Sequence, residues 1–307
     1  MAPSDALSAT EGLAPRGEKS AEKDLAAFRS LVLERGRELY RDLPWRRTRD
    51  PYEIWISEVM LQQTQTTRVD GRWQRWLERF PTVGALAAAP AADVLDEWQG
   101  LGYNRRALAL HRAAGILAEA GGVLPSDAAK LVALPGVGPA TAAGIRAFAF
   151  DLHSVYLETN VRAVFLHELF AGEQRVPDGR LVPLVHQTCP ADASDPSDDP
   201  RTWYYALLDY GAYLKRTIPN PSRRSSGHTR QSRFEGSHRQ KRAELLRVLL
   251  AHREAPAGVA FETICEELAS LEGKAGRRPL SAAEVCALLA ELEREGFCRS
   301  ADGAWRV

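Results

Sequence analysis

The residues around Glu58 could enable its carboxyl group to act as a general acid. The apolar spacing between residues 51 and 69 predicts a helix. On that helix Ile54, Glu58 and Leu61 fall on one face, at positions i, i+4 and i+7. Burial on an apolar face raises the pKa of a carboxyl group toward neutrality, which a general acid requires. The alternative is a glutamate at the edge of an amphipathic face that forms a salt bridge and takes part in no reaction.

A second carboxylate, Glu158, lies at the expected start of another helix within residues 153–169. The apolar residues on either side can pack inward, which leaves Glu158 and Asn160 at the mouth of that helix. Such a position suits side chains that act on a ligand. It also suits a carboxylate that only caps the helix N-terminus.

Two polar side chains and one aromatic side chain are candidates for contact with nucleic acid. Gln62 and Gln63 follow Glu58 toward the end of its helix, where paired glutamines suit hydrogen bonding to bases or insertion into a base stack. Solvation of the helix end would explain them equally well. Tyr103 closes a glycine-bounded turn at residues 98–103, and a lone aromatic residue of this kind is often part of a core.

The sequence Leu-Pro-Gly-Val-Gly at residues 134–138 predicts a tight turn between two helices. Pro135 ends the first helix, and Gly136 and Gly138 allow positive φ angles. Because neither glycine has a Cβ, a phosphate can approach the free N–H groups at the start of the second helix, where the helix dipole favours an anion. The alternative is an ordinary corner between two helices.

The composition changes sharply at residues 215–242, where nine Lys and Arg residues accompany the single acid Glu235. Such a segment suits a surface that follows a phosphate backbone, and a solvated linker is the alternative. Residues 243–307 predict three helices and a β-hairpin with its turn at Asp302–Gly303. That order is typical of a winged-helix module, which could bind DNA or serve only as a packing domain.

The overall composition is that of an ordinary globular protein. The 307 residues are 45% hydrophobic and 26% charged with a formal net charge of zero, so any nucleic-acid surface must come from local clustering. The four cysteines show no CxxC spacing, which argues against a disulfide framework and against a zinc or iron–sulfur site. Residues 1–22 have the composition of a disordered tail, without a signal peptide. No run is apolar enough to cross a membrane, and we expect a cytoplasmic protein.

Five separated motifs together resemble the helix-hairpin-helix DNA glycosylases. They are Pro44–Trp45, Ser57–Gln65, Phe80–Val83, Gly100–Tyr103 and Leu134–Gly138. Within that superfamily they are most similar to the MutY-type, A/G-specific adenine glycosylases. The resemblance implies an all-α fold of two lobes, with the active site in the cleft and the target base flipped out of the duplex.

The resemblance also implies an order of domains along the chain. We expect a disordered tail at residues 1–22, a glycosylase domain at 23–214, a basic DNA-facing segment at 215–242 and a small winged-helix-like domain at 243–307.

Matching positions give roles to individual residues. Glu58 matches the family's catalytic glutamate, which protonates the adenine and handles the attacking water, and Asn160 matches an asparagine beside the reaction centre. Gln63 matches the glutamine that fills the stack beside the partner base. The candidate catalytic residues are therefore Glu58, Glu158 and Asn160. The candidate DNA contacts are Gln62, Gln63, Tyr103, Leu134, Gly136, Val137, Gly138, Arg223, Arg224 and Arg230.

The sequence departs from the family in four respects. Glu158 stands where the family has an aspartate. Ala140 stands where the lyase branch carries a Schiff-base lysine, which implies monofunctional chemistry. The C-terminal part does not resemble the Nudix-like domain that reads 8-oxoguanine opposite the adenine. Other residues occupy the positions of the four cysteines that hold the family's 4Fe-4S cluster: Lys215, Ser222, Ser225 and Gln231. We therefore expect no cofactor.

These observations predict a monofunctional DNA glycosylase that acts as a monomer on mispaired adenine in double-stranded DNA. Glu58 would be the acid, and Glu158 would stabilise the oxocarbenium-like sugar electrostatically or covalently, as paired carboxylates do in glycoside hydrolysis. We expect the local backbone to have withdrawn to seat the longer glutamate; the alternative is an enzyme that is slow on adenine. Two other functions fit: excision of hypoxanthine or mispaired thymine, and lesion binding without catalysis, in which Glu158 is only a helix cap.

Overall fold

The computed structural model describes residues 18–191, 193–229, 233–301 and 303–307, and these residues are mainly helical, as expected. The helices are α1 (Glu18–Leu39), α2 (Pro51–Leu61), α3 (Thr66–Val69), α4 (Arg72–Arg79), α5 (Val83–Ala88), α6 (Ala91–Glu97), α7 (Arg105–Glu119), α8 (Ala128–Val132), α9 (Pro139–Phe150), α10 (Thr159–Glu168), α11 (Asp178–Thr188), α12 (Pro200–Thr217), α13 (His238–Ala251), α14 (Phe261–Lys274) and α15 (Ala282–Arg294). Single 3₁₀ turns lie at Pro44–Arg46 and Pro221–Arg224. Among the described helices, none combines the length and apolar character needed to cross a membrane.

Two buried cores organise the helices into two lobes. The first core is built around Trp55, Trp76 and Trp98; it takes up helices α2 to α8 and continues into helices α13 to α15. The second core gathers α1, α10, α11 and α12 around Phe165 and Trp203. Helices α2 and α9 contribute side chains to both cores and pack against each other. Residues on these two helices therefore lie where the lobes meet.

The start of α2 is fixed by local sequence, and its end is fixed by tertiary contacts. The Asp50 side chain accepts hydrogen bonds from the N–H groups of Tyr52 and Glu53, and Pro51 occupies the first turn. The single helix predicted over residues 51–69 was wrong, because the backbone leaves the helical conformation at Gln63, where φ is 54°. Helix α3 then begins at Thr66.

Several expected boundaries are corrected. Of the expected tail at residues 1–22, residues 18–22 belong to α1, and residues 1–17 lie outside the described part of the chain. By contrast, the helix predicted within residues 153–169 begins at Thr159 with Glu158 as its N-cap, as expected, and residues 152–158 form a non-helical lead before it. The expected basic segment at 215–242 is not one element: it includes the end of α12, a 3₁₀ turn and the first turns of α13.

The C-terminal residues form a small module of three helices and a three-stranded sheet. Strands β1 (Val259–Ala260), β2 (Arg299–Ala301) and β3 (Ala304–Arg306) pair antiparallel in the order β1-β3-β2, with Val259 opposite Trp305 and Ser300 opposite Trp305 on the other side. The order helix, strand, helix, helix, hairpin agrees with the expected winged-helix-like arrangement. The sequence analysis missed β1, which has only two residues.

Candidate active site

A cavity of about 250 Å³ opens where the two lobes meet. Its lining includes both candidate carboxylates, Glu58 and Glu158, together with Asn160. Gln62 and Gln63 also line it, and so does Ala140 at the position where a lyase would need an amine. The structure thus brings together five of the predicted site residues, although Glu58 and Glu158 are a hundred positions apart in the sequence.

Glu58 is held in an apolar and sterically tight position. Its side chain is 9% exposed and packs against α9 at Gly144, where a Cβ would lie 2.9 Å from Glu58 Cδ. Burial raises the pKa of Glu58 to about 8, and the nearby charge of Glu158 adds to this increase. The hydroxyl of Tyr156 donates a hydrogen bond to the Glu58 carboxylate, which partly opposes the shift. A protonated carboxyl group at neutral pH can donate a proton to a leaving group.

Glu158 is both a helix cap and a wall of the cavity. Its Oε1 accepts hydrogen bonds from the backbone N–H groups of Asn160 (2.5 Å) and Val161 (2.9 Å) at the start of α10. Glu158 therefore caps the helix, as the alternative interpretation of the sequence held, and the same residue also lines the cavity. Burial raises the pKa of Glu158, whereas those N–H groups and the charge of Lys215 lower it. The side chain folds back onto the N-terminus of its own helix, and the expected withdrawal of the backbone stays a prediction.

Aromatic rings and the buried Arg46 form another part of the cavity wall. The rings of Phe148 and Tyr205 stack in parallel, with centroids 4.6 Å apart. Arg46 forms two hydrogen bonds to the buried carboxylate of Asp209, at 2.7 Å and 2.8 Å, and its guanidinium lies over the Tyr205 ring. Trp45 also lines this side of the cavity. A flat face beside fixed polar groups is suited to a planar heterocyclic base.

The loop that follows Glu58 is held by one arginine. Arg106 on α7 donates hydrogen bonds to six acceptors: Val59 O, Met60 O, Gln62 O, Thr64 Oγ1, Leu101 O and Gly102 O. Four of these acceptors lie at residues 59–64, around Gln63, and the other two lie at residues 101 and 102, directly before Tyr103. Both residues have left-handed backbone conformations, with φ of 54° and 50°, which is uncommon for non-glycine residues.

The two predicted glutamines differ in their surroundings. Gln62 Nε2 donates to Thr141 Oγ1 on α9 at 2.8 Å, so this side chain ties the loop to the hairpin helix. Gln63 is exposed at the rim of the cavity, as a residue that enters a base stack must be. Tyr103 is 39% exposed, so it is a surface residue rather than part of the core.

The predicted hairpin is present between α8 and α9. Gly136 has φ of 78°, and a Cβ there would lie 2.7 Å from Ala109 Cβ on α7, so only glycine fits. Gly138 is exposed in an extended conformation and caps α9. The side chains of Leu134 and Val137 are buried at 7% and 5% exposure, so these two residues stay predicted DNA contacts through their backbone alone. Only their backbone can face a phosphate.

The three arginines predicted to contact DNA in the basic segment differ in whether the structure leaves them available for phosphate. Arg224 is not available for phosphate, because its guanidinium donates to the carbonyl oxygens of Leu166, Phe170 and Glu173 at the end of α10. Arg223 is exposed and stays a candidate. Arg230 lies outside the described residues.

The residues at the positions of the family's cluster ligands do not fit an iron–sulfur cluster. Such clusters are held by thiolates, whereas these positions carry a lysine ammonium group and two buried serine hydroxyls, with Gln231 outside the described residues. The segment is joined to the second lobe by backbone hydrogen bonds from Val176 N to Arg224 O and from Ser226 N to Val176 O, each 2.9 Å long. Within the described residues, no group of three or more His, Cys, Asp or Glu side chains could hold a metal ion.

Four residues that shape the site were not singled out from the sequence. Tyr156 lies two positions before Glu158 on an extended lead, and alternation along that lead would have placed both on one side. Gly144 interrupts a helical pattern, which usually has a packing reason. Lys215 is one helical turn after Gly211 on α12. Nothing in the sequence around Arg106 indicates that its guanidinium has six acceptors.

Comparisons with known proteins agree with this geometry. Residues 56–225 match the family model of the HhH-GPD superfamily base excision DNA repair proteins. The chain is 36% identical over 226 residues to the adenine DNA glycosylase of Mycolicibacterium smegmatis, covering 68% of this chain and 75% of the relative. It is 37% identical over 233 residues to the adenine DNA glycosylase of Mycobacterium tuberculosis, covering 69% and 75%.

A solved structure is similar in fold. A thermostable thymine-DNA glycosylase superposes with a TM-score of 0.57 at 23% identity, covering 66% of this chain and 92% of that one. The family model, the two relatives and the shared fold agree with a cleft that holds a buried acid and a hairpin. The chain belongs to the HhH-GPD superfamily of base excision DNA repair proteins and, within it, to the adenine DNA glycosylase family.

Proposed function

We propose that this protein hydrolyses the N-glycosidic bond of a mispaired adenine that has been flipped out of double-stranded DNA, and that it acts as a monomer. The observation that carries the proposal is the position of Glu58, a buried carboxyl group that lines the cavity between the two lobes and whose pKa burial raises to about 8. The adenine DNA glycosylase relatives support adenine as the base.

The reaction follows from the positions of the two carboxyl groups. The flipped adenine lies against the aromatic wall, and Glu58 donates a proton to a ring nitrogen, which makes the base a leaving group. As the bond between the sugar C1′ and the base breaks, positive charge develops on the sugar, and the Glu158 carboxylate stabilises it. Water then adds to C1′ and loses its proton to the Glu58 carboxylate, which restores the enzyme. Ala140 offers no amine, so the strand is not cleaved through a Schiff base.

The proposed test is single-turnover base release with enzyme in excess, on duplexes that carry adenine opposite 8-oxoguanine, adenine opposite guanine, hypoxanthine opposite thymine, or thymine opposite guanine. We expect adenine release from the first two and none from Glu58→Gln, which keeps the shape of the side chain but cannot donate the same proton. Duplex affinity of Glu58→Gln should stay near that of the wild type. Faster release of hypoxanthine or thymine would reassign the base, and binding without release from every duplex would establish a lesion-binding protein.

We also propose that the protein holds no iron–sulfur cluster, because the ligand positions carry side chains that do not bind iron in this way. Iron analysis and a visible absorption spectrum of the purified protein test this. Stoichiometric iron with a yellow-brown colour would contradict it.

A further inference from the structure

Lys215 lies beside the candidate active site, although the family resemblance gives its position to a cluster ligand. It is half-buried in the last turn of α12, and its Nζ donates a hydrogen bond to Asn160 Oδ1 at 3.1 Å. One turn earlier on the same helix, Gly211 packs against Asn160 so closely that a Cβ would lie 2.6 Å from the Asn160 carbonyl carbon. One face of α12 thus brings both a close contact and a positive charge to Asn160.

The hydrogen bond from Lys215 fixes which way the Asn160 amide faces. An ammonium group only donates, so it requires the amide oxygen of Asn160 on its own side. The amide nitrogen is then turned to Glu158, with Nδ2 3.4 Å from Oε2. The other carboxylate oxygen, Oε1, is already held by two backbone N–H groups. The orientation of the Glu158 carboxylate therefore depends on a chain of contacts that begins at Lys215.

The charge of Lys215 matters as well as its hydrogen bond. The N-terminus of α10 carries the positive end of the helix dipole, where a lysine is unfavourable unless an anion accompanies it. Glu158 is that anion. The charged and titratable groups that face it are Lys215 from α12, Arg162 from α10 and, across the cavity, Glu58 from α2 with Tyr156 beside it.

We propose that Lys215 is a positioning residue for base excision: it orients the Asn160 amide and keeps the Glu158 carboxylate oriented and ionised for the developing sugar cation. The inference rests on the proposed function. It assigns to the active site a position that the family resemblance would give to metal binding.

The test compares Lys215→Met, which removes the charge and the donor, with Lys215→Arg, which keeps both. Lys274→Met is the matched control, because Lys274 is an exposed lysine in the last turn of α14, far from the cavity. Single-turnover rates are measured from acidic to alkaline pH on the preferred duplex with saturating enzyme, so that DNA affinity does not enter. Thermal melting of each variant is recorded in parallel.

We expect Lys215→Met to be about 10-fold to 100-fold slower near neutral pH, the range that a misplaced reacting group can produce. Its acidic limb should move to higher pH, because the pKa of Glu158 rises when the positive charge is lost. The alkaline limb, set by Glu58, should stay in place. Lys215→Arg should recover most of the rate, and Lys274→Met should match the wild type.

A Lys215→Met variant with the wild-type rate and pH profile would overturn the inference. An equal loss at every pH, without recovery in Lys215→Arg, would also overturn it and assign Lys215 a structural role. If Lys215→Met does not fold, Lys215→Arg decides: an unshifted acidic limb and a rate near wild type support the inference, and a large loss opposes it. A wild-type protein that releases no base from any duplex would instead refute the proposed function.

Discussion

Replacing Gly144 by alanine tests whether the catalytic power of this site depends on the position of the Glu58 carboxyl group. A Cβ on Gly144 would lie 2.9 Å from Glu58 Cδ and 3.0 Å from Tyr156 Cε2. Nonbonded carbon atoms prefer separations of about 3.5–4.0 Å, so the carboxyl group must retreat by roughly 1 Å. Misplacement of that size at a reacting centre can reduce a rate about 100-fold, which corresponds to about 2.7 kcal/mol.

The effect on folding should be much smaller than the effect on the reaction. Overpacking of a core costs about 1–3 kcal/mol. An alanine in a helix interior regains up to about 1 kcal/mol over glycine. We therefore expect Gly144→Ala to be folded, with a modest change in melting temperature and single-turnover base release about 100-fold slower.

Gly115→Ala on α7 is the matched control, because a Cβ there meets nothing within 4 Å. It should be as active as the wild type and slightly more stable. Wild-type activity in Gly144→Ala would refute the reasoning, since it would mean either that the carboxyl group can move without consequence or that it is not the acid.

Three other perturbations test the roles assigned above. Base release should fall above about pH 8, because Glu58 must be protonated to act and its raised pKa is about 8; a wild-type rate that stays level well above pH 8 would contradict this. Glu158→Asp should reduce single-turnover release and Glu158→Gln should nearly eliminate it, whereas a much faster Glu158→Asp would mean that the longer side chain is a handicap. Arg106→Lys replaces four terminal N–H groups on two nitrogens, shared among six acceptors, by three N–H groups on one nitrogen. Urea unfolding should therefore show a loss on the order of 1 kcal/mol, and unchanged stability would contradict the role of Arg106 in holding the loop.

The sequence by itself determined the fold class and singled out Glu58 as the proposed acid. Helical spacing in residues 51–69 placed Glu58 among apolar neighbours, and the proline and glycines at residues 134–138 predicted the turn of the hairpin. These are local signals: they depend on residues three to eight positions apart, which is the range over which periodicity and turn chemistry act. The motifs that carry the family resemblance are local in the same sense.

Local signals also misled where tertiary contacts decide the conformation. The residues after Glu58 look helical, but Arg106 draws their carbonyl oxygens into a tight loop and exposes Gln63. Leu134 and Val137 belong to a DNA-binding motif, yet their side chains are buried in the first core. Arg224 is one of nine cations in its segment, and only the fold reveals that it binds carbonyl oxygens at the end of α10.

The chemistry of the site was decided by the tertiary structure. Burial raises the pKa of Glu58 and Tyr156 partly opposes this increase. The close approach of Gly144 on α9 to the Glu58 carboxyl group exists only in the folded protein. The contact between Lys215 and Asn160 spans 55 positions in the chain. Desolvation and charge pairing depend on distances in space, which exist only once the two lobes have folded around the cavity. Residue spacing along the sequence therefore could not reveal them.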